Sequence, residues 1–325
     1  MAASIPPTGV YVPVPTFFQS PSSSPGLQPA INVKAQVEHS IFLAKNGIRG
    51  LVLMGSTGVA VHLSKAERYE MVAGVREGLN NAGFEQYPIM AGVLTNGIDE
   101  TLEWLADYKE AGAQWGLVLA PGYFGSSSNQ ENIKAWYTVI ADNSPIPILI
   151  YNYPGVTNQI IVAPETYTAL AQHPNIVGCK MSHGNVSHHV QVSLNPVIDH
   201  ETFRVYSGFG QQLGPIVHFG AAGVIDGLAA IYPKTIVRLM DLAEGKSNDP
   251  AAVAELHKLQ QAVSVAQEFI GKFGIIGIKE AIYRVTGFGI LDAGRLPLRG
   301  NMSNGDWEKW HDQLLSGVES LEKSL

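Results

Sequence analysis

Short apolar runs alternating with amphipathic stretches are the feature that most constrains this chain. Eight such runs occur, at residues 10–16, 50–54, 88–93, 116–120, 146–151, 176–180, 203–207 and 223–225. Several are almost unbroken Val, Ile and Leu, as strands buried on both faces of a parallel sheet require. Between them, stretches such as 33–46, 65–79 and 99–111 place apolar residues at helical spacing. Ser64 and Glu67 predict a capping box at one helix start. A further helix is expected over 163–173, with Pro164 in its first turn. Gly47 and Gly112 fit left-handed C-terminal caps. Eight strand–helix units in roughly 240 residues predict an α/β fold, a (β/α)8 TIM barrel. A doubly wound sheet would have fewer strands and a clear switch point.

After about residue 245 the pattern is helical only, over 249–271, 277–286 and 304–323. Residues 1–245 are therefore expected to form the barrel that carries the active site. Residues 246–325 would form a C-terminal helical appendage. The segment 20–29, SPSSSPGLQP, is expected to be an exposed loop.

Charge and cysteine usage narrow the function. The formal net charge is −7 and no Lys/Arg cluster offers a nucleic acid a basic face. No apolar run approaches the ~20 residues of a membrane helix. Residues 1–18 lack the charged start of a secretory signal and the arginines of a mitochondrial presequence. A single cysteine, Cys179, excludes an intramolecular disulfide and fits a reducing compartment. A cytoplasmic location is expected.

A TIM barrel places its chemistry at the C-terminal ends of the strands. That rule selects Ser56 and Thr57 after strand two, Tyr123 after strand four, Tyr151 ending strand five and Lys180 ending strand six. Gly208 follows strand seven, and Ile225 with Asp226 closes strand eight. A lysine inside a barrel is costly to keep charged, so its pKa should fall. An amine with an ordinary pKa is only ~0.1% neutral near pH 7.4, so an efficient nucleophile needs a shift of about three units. Position alone leaves open a lysine that snorkels to solvent. Tyr151 ends the preceding strand, so it should lie beside Lys180, where a phenol can move protons; it reads equally as a core tyrosine. The Ser56–Thr57 turn suits a carboxylate, although alone it is simply a turn.

Together these residues resemble the dihydrodipicolinate synthase / N-acetylneuraminate lyase superfamily of class I pyruvate aldolases, from about Gly9 to the C-terminal helices. Gly55-Ser56-Thr57-Gly58 is similar to the family turn that holds the 2-oxo-acid carboxylate. Tyr151-Asn152-Tyr153-Pro154 is similar to its Y-N-x-P motif, whose tyrosine shuttles protons. Lys180 matches the Schiff-base lysine, and Tyr123 the second tyrosine, which in the family reaches into the neighbouring subunit's site. Gly223-Val224-Ile225 resembles the glycine-rich strand lining the pyruvate pocket.

The resemblance implies that Lys180 forms the imine and that Tyr151 moves protons through Ser56 and Tyr123. Substrate contacts are expected from Ser56, Thr57, Gly208, Ile225 and His183. It implies no cofactor, no metal and a homo-oligomer, a tetramer built as a dimer of dimers. Departures sit at Val59 and Met181, where the family usually has acids, and at Val156, where dihydrodipicolinate synthases carry a carboxylate-binding arginine. Val156 with Thr157 and Asn158 suits a neutral hydroxylated tail. The expected substrate is therefore a 2-keto-3-deoxy sugar acid, 2-keto-3-deoxy-L-galactonate first, giving pyruvate and glyceraldehyde. Cleavage of 4-hydroxy-2-oxoglutarate, a deoxy-sugar-acid dehydratase, dihydrodipicolinate synthesis and a non-catalytic 2-oxo-acid-binding barrel are the alternatives.

Three other features are set aside. Gly277-Ile-Lys279-Glu resembles the lysine motif but falls in the helical appendage. The glycines at 208, 210 and 214 are misplaced for a dinucleotide turn and fit a cleft loop. His183, His188 and His189 have no Cys or carboxylate beside them for a metal, and 188 and 189 should point different ways.

Overall fold

The computed structural model describes residues 3–23, 26–292, 294–303 and 305–325. Eight parallel strands close into a barrel: β1 Gly9–Pro13, β2 Gly50–Leu53, β3 Ile89–Val93, β4 Trp115–Leu119, β5 Ile148–Asn152, β6 Ile176–Met181, β7 Arg204–Ser207 and β8 Gly223–Ile225. They pair in chain order, and β8 returns to β1 through Gly9↔Gly223. This is the TIM barrel expected from the alternation. β1 ends at Pro13 rather than at residue 16, because Pro13 and Pro15 have no amide hydrogen for the ladder.

The strands alternate with α1 Val33–Lys45, α2 Lys65–Asn81, α3 Ile98–Glu110, α4 Gln130–Asn143, α5 Pro164–Leu170, α6 Val186–Ser193, α7 Leu213–His218 and α8 Pro233–Gly245. The capping box at Ser64 and Glu67 is present, with both reciprocal bonds. Gly47 and Gly112 take φ of 85° and 97° just past α1 and α3. The expected helix over 163–173 is shorter, Pro164–Leu170.

Beyond α8 come α9 Pro250–Thr286, α10 Asp306–Trp310, a π-helical turn His311–Leu315 and α11 Ser316–Ser324. Residue 304, expected to start the last helix, lies outside the described residues. The two helices expected over 249–271 and 277–286 run on as α9, broken at Gly274 with φ 53° and ψ −141°. That backbone region belongs almost only to glycine. In the 20–29 loop a single 3-10 turn forms at Pro21–Ser23, and residues 24 and 25 lie outside the described residues.

Two apolar layers hold the barrel. The interior holds Tyr11, Val52, Met90, Leu117, Leu149, Tyr151, Val177, Tyr206 and Ile225. The larger layer lies between strands and helices. The N-terminal segment closes the bottom: Trp115 Nε1 donates to Ser4 O, and the Tyr11 and Tyr206 hydroxyls both donate to Pro7 O. The cavity of the barrel opens instead at the C-terminal ends of the strands.

One irregularity sets which side chains reach that end. Ile148 pairs with Ile176 but Leu149 pairs with Gly178, so Val177 is an extra residue in β6. A bulge of this kind reverses the in–out phase beyond it. Val177 lies in the interior layer, whereas Cys179 and Met181 lie in the outer one. Lys180, between them, therefore faces inward. A Cβ on Gly178 would sit 2.3 Å from the Arg204 carbonyl oxygen, so the bulge needs a glycine.

Candidate active site

A cavity of about 770 Å³ opens at the C-terminal end of the strands. Lys180 is on its wall and only 5% exposed. Its Nζ lies 4.5 Å from the centre of the Tyr151 ring, and the two residues are register partners across β5 and β6. Burial lowers the Lys180 amine to about 7, and the carboxylate of Asp226 opposes the drop. About half the amine is then free near neutral pH, which a nucleophile requires.

Burial pushes the Tyr151 phenol well above its usual range, against a hydrogen bond from Ser56. It stays protonated and can pass a proton on while accepting another. Its hydroxyl is 3.3 Å from Ser56 Oγ. Tyr153 stacks on Tyr151 with centroids 6.2 Å apart, which fixes the plane of the ring. Thr57, Gly208 and Ile225 line the same cavity, as do Ser56 and Tyr151.

Tyr123 lines the rim but is 75% exposed, stacked edge-on against the equally exposed Phe124. Its backbone is pinned by Asn96 and Asn158. Among the described residues its hydroxyl makes no bond to Ser56 or Tyr151, so the expected relay is not closed within one chain.

His183 departs from expectation. It does not line the cavity; its neighbour Ser182 does. After Lys180 the chain alternates faces, so Ser182 turns inward and His183 turns away. Its ring packs 5.7 Å from His188 and 5.4 Å from His189. The two α6 histidines, expected to diverge, thus meet around His183. Asn185 caps α6 through His188 N and sets that approach. Among the described residues, no group of three His, Cys, Asp or Glu side chains is arranged to hold a metal ion.

Thr157 and Asn158 also differ from their expected use. Thr157 Oγ1 donates to Tyr153 O, and Asn158 Nδ2 donates to the carbonyls of Gly122 and Tyr123. Although both touch the cavity, Thr157 closes a bond within the loop after β5 and Asn158 ties that loop to the one after β4. Lys279 points away from the cavity to Leu298 O, while its neighbour Ile278 lines it.

Ser182, Gln267 and Ile270 were not singled out in the sequence, and Asp226 was selected only by its position at a strand end. Ser182 carried a signal, since it lies two positions past Lys180. Its hydroxyl fits only because Gly208 has no side chain: a Cβ there would be 2.0 Å from Ser182 Oγ. Asp226 stood at a strand end but had no partner visible in sequence. Gln267 and the neighbouring Ile270 reach the cavity from α9, with no local signal.

Comparison with known proteins fits this geometry. Residues 23–309 match the model of the dihydrodipicolinate synthetase family. The chain belongs to that family. An L-threo-3-deoxy-hexylosonate aldolase of Hypocrea jecorina is 33% identical over 288 residues, 87% of this chain and 88% of the relative. A protein of Emericella nidulans described as a probable mitochondrial 4-hydroxy-2-oxoglutarate aldolase is 32% identical, covering 86% of each chain. Among solved structures, a dihydrodipicolinate synthase family protein from Coccidioides immitis superposes with a TM-score of 0.84 at 26% identity over the whole of both chains. Val59 and Val156 line the cavity, and Met181 ends β6.

Proposed function

We propose that this lyase is a class I aldolase that cleaves a 2-keto-3-deoxy sugar acid, 2-keto-3-deoxy-L-galactonate first, to pyruvate and glyceraldehyde. The observation that carries the reading is Lys180: a buried, inward-facing amine with a pKa near 7 beside a neutral phenol. Its nitrogen adds to the C2 carbonyl. The carbinolamine hydroxyl leaves as water, with Tyr151 supplying the proton, and an iminium forms. Tyr151, relaying through Ser56, then takes the C4 hydroxyl proton. The C3–C4 bond breaks, its electron pair moves toward the iminium nitrogen, and the aldehyde departs. Protonation of the enamine at C3 and hydrolysis release pyruvate and free the lysine. Ser56 and Thr57 hold the carboxylate, and Gly208 and Ile225 bound the small end of the pocket. No cofactor or metal enters the sequence of steps.

Charge in the cavity favours the sugar acid over the alternatives. Lys180 is the one Lys or Arg among the described residues lining it, and Asp226 and Glu268 line it too. A second carboxylate, as in 4-hydroxy-2-oxoglutarate, would find no cation for its tail. The similarity to L-threo-3-deoxy-hexylosonate aldolase agrees with a neutral tail. A panel of 2-keto-3-deoxy-L-galactonate, its D-gluconate counterpart, 4-hydroxy-2-oxoglutarate, and aspartate semialdehyde with pyruvate tests this. Pyruvate and glyceraldehyde released fastest from the first is the expected result. Preferential cleavage of the dicarboxylate, or loss of water with the carbon skeleton intact, would overturn it.

The barrel, 1–245, supplies this chemistry, and the helical region, 246–325, walls the cavity. The protein works as a tetramer, a dimer of dimers in which Tyr123 of each chain completes the neighbour's relay; the exposed Tyr123–Phe124 pair supports this. A cytoplasmic location is favoured by the lone buried Cys179, and no helix among the described residues is long and apolar enough to cross a membrane. Cell fractionation checks it: recovery with mitochondria would contradict it.

A further inference from the structure

Asp226 is the buried carboxylate of the cavity and belongs to none of the steps above. It sits just past β8, 1% exposed, and lines the same cavity as Lys180. Both of its oxygens only accept. Oδ1 takes Gly210 N at 3.2 Å and Gln267 Nε2 at 2.5 Å, and Oδ2 takes Ala229 N at 3.2 Å. A cradle of donors favours the ionised form. Burial pushes the carboxyl up, and Gln267, Gly210 and Ala229 work against that. The cradle is also sterically closed: a Cβ on Gly210 would lie 2.8 Å from both Asp226 Oδ2 and Gln267 Nε2. The glycine in the loop after β7 is thus required by the carboxylate rather than by a ligand. Gln267 comes from α9, so the appendage takes part in building the site.

We propose that Asp226, fixed by Gly210, Ala229 and Gln267, is the counter-charge of the Lys180 nitrogen, sustaining it whenever it is cationic. It acts through Lys180, without touching the reacting carbons. This rests on the Schiff-base reading above. Two opposed consequences follow. The anion keeps the free amine protonated to a higher pH than burial alone would allow, which matches the opposing influence of Asp226 on Lys180. It also stabilises the iminium, which is a cation formed from a neutral amine. The other titratable groups facing the cavity are Tyr151 and Tyr153 on and after β5, Tyr123 after β4, His62 after β2 and Glu268 on α9. Against the burial of Lys180, it is the charge of Asp226 that opposes the fall of its pKa.

The test is the pH profile of the rate at which borohydride-trappable imine forms with pyruvate in the full-length protein, with the imine occupancy at equilibrium measured beside it. Wild type should show an acid limb near 7. In Asp226→Asn the limb should move down by about one unit, while imine occupancy at about pH 8 falls roughly tenfold. A group with a merely structural role would not free the amine earlier and populate its imine less. Gln267→Leu keeps the carboxylate and two of its donors, and should shift the limb the same way by less. It decides the matter if Asp226→Asn fails to fold. An acid limb unmoved in the folded variants overturns the proposal and leaves the Schiff-base reading intact. Wild type that traps no adduct overturns both.

Discussion

At the scale of single residues, the pairing of Tyr151 with Lys180 was legible, because both end adjacent strands and barrel order makes such ends neighbours. The direction of the lysine's pKa shift was also legible, since burial is its largest cause, while the opposition from the Asp226 carboxylate had no signal in the sequence. His183 was misassigned because proximity in sequence to Lys180 says nothing about which face a loop residue takes. Asp226 and Gln267, 41 positions apart, meet only through the path of α9. Tyr151→Phe tests the proton role. The ring still stacks on Tyr153, and the loss of one hydrogen bond costs about 0.5–1.5 kcal/mol of stability. Turnover should fall by about 10²–10⁴-fold with the thermal midpoint little changed. Steady-state kinetics beside a melting curve checks this; near-wild-type turnover would remove Tyr151 from the mechanism.

Among the elements, β6 decides the site. Its strand character was clear in the sequence, but its phase was not. Strict alternation puts Val177, Cys179 and Met181 on one face and Lys180 on the other. The bulge at Val177 separates them, leaving Val177 and Lys180 both turned inward. A bulge is a property of the pair of strands, so a single run of residues does not announce it. Gly178 is its one trace. Gly178→Ala forces a methyl against the Arg204 carbonyl, which is backbone and cannot swing aside. A cost of about 1–3 kcal/mol is expected. Imine trapping should fall with it, because β6 would relieve the clash by shifting Lys180. Wild-type trapping together with a wild-type melting temperature would show that the bulge is not what aims the lysine. The break in α9 at Gly274 was better marked, since it falls in the gap between the helices expected over 249–271 and 277–286.

For the whole molecule, the barrel and its helical appendage followed from counting alternations, whereas the way α9 crosses the mouth did not. The appendage supplies Gln267 and Ile270 to the cavity, so the site is a joint product of both parts of the chain. Tyr123 is where the proposed assembly can be tested. A residue 75% exposed at the rim of its own cavity is free to meet a second subunit. Light scattering should give the mass of four chains; a monomer retaining full activity would rule out a shared relay. The account as a whole stands on one covalent bond. Incubation with pyruvate, reduction with borohydride and peptide mass mapping should find the reduced adduct on Lys180, and Lys180→Ala should lose both adduct and cleavage. An adduct on Lys279 instead, or full activity without Lys180, would contradict it.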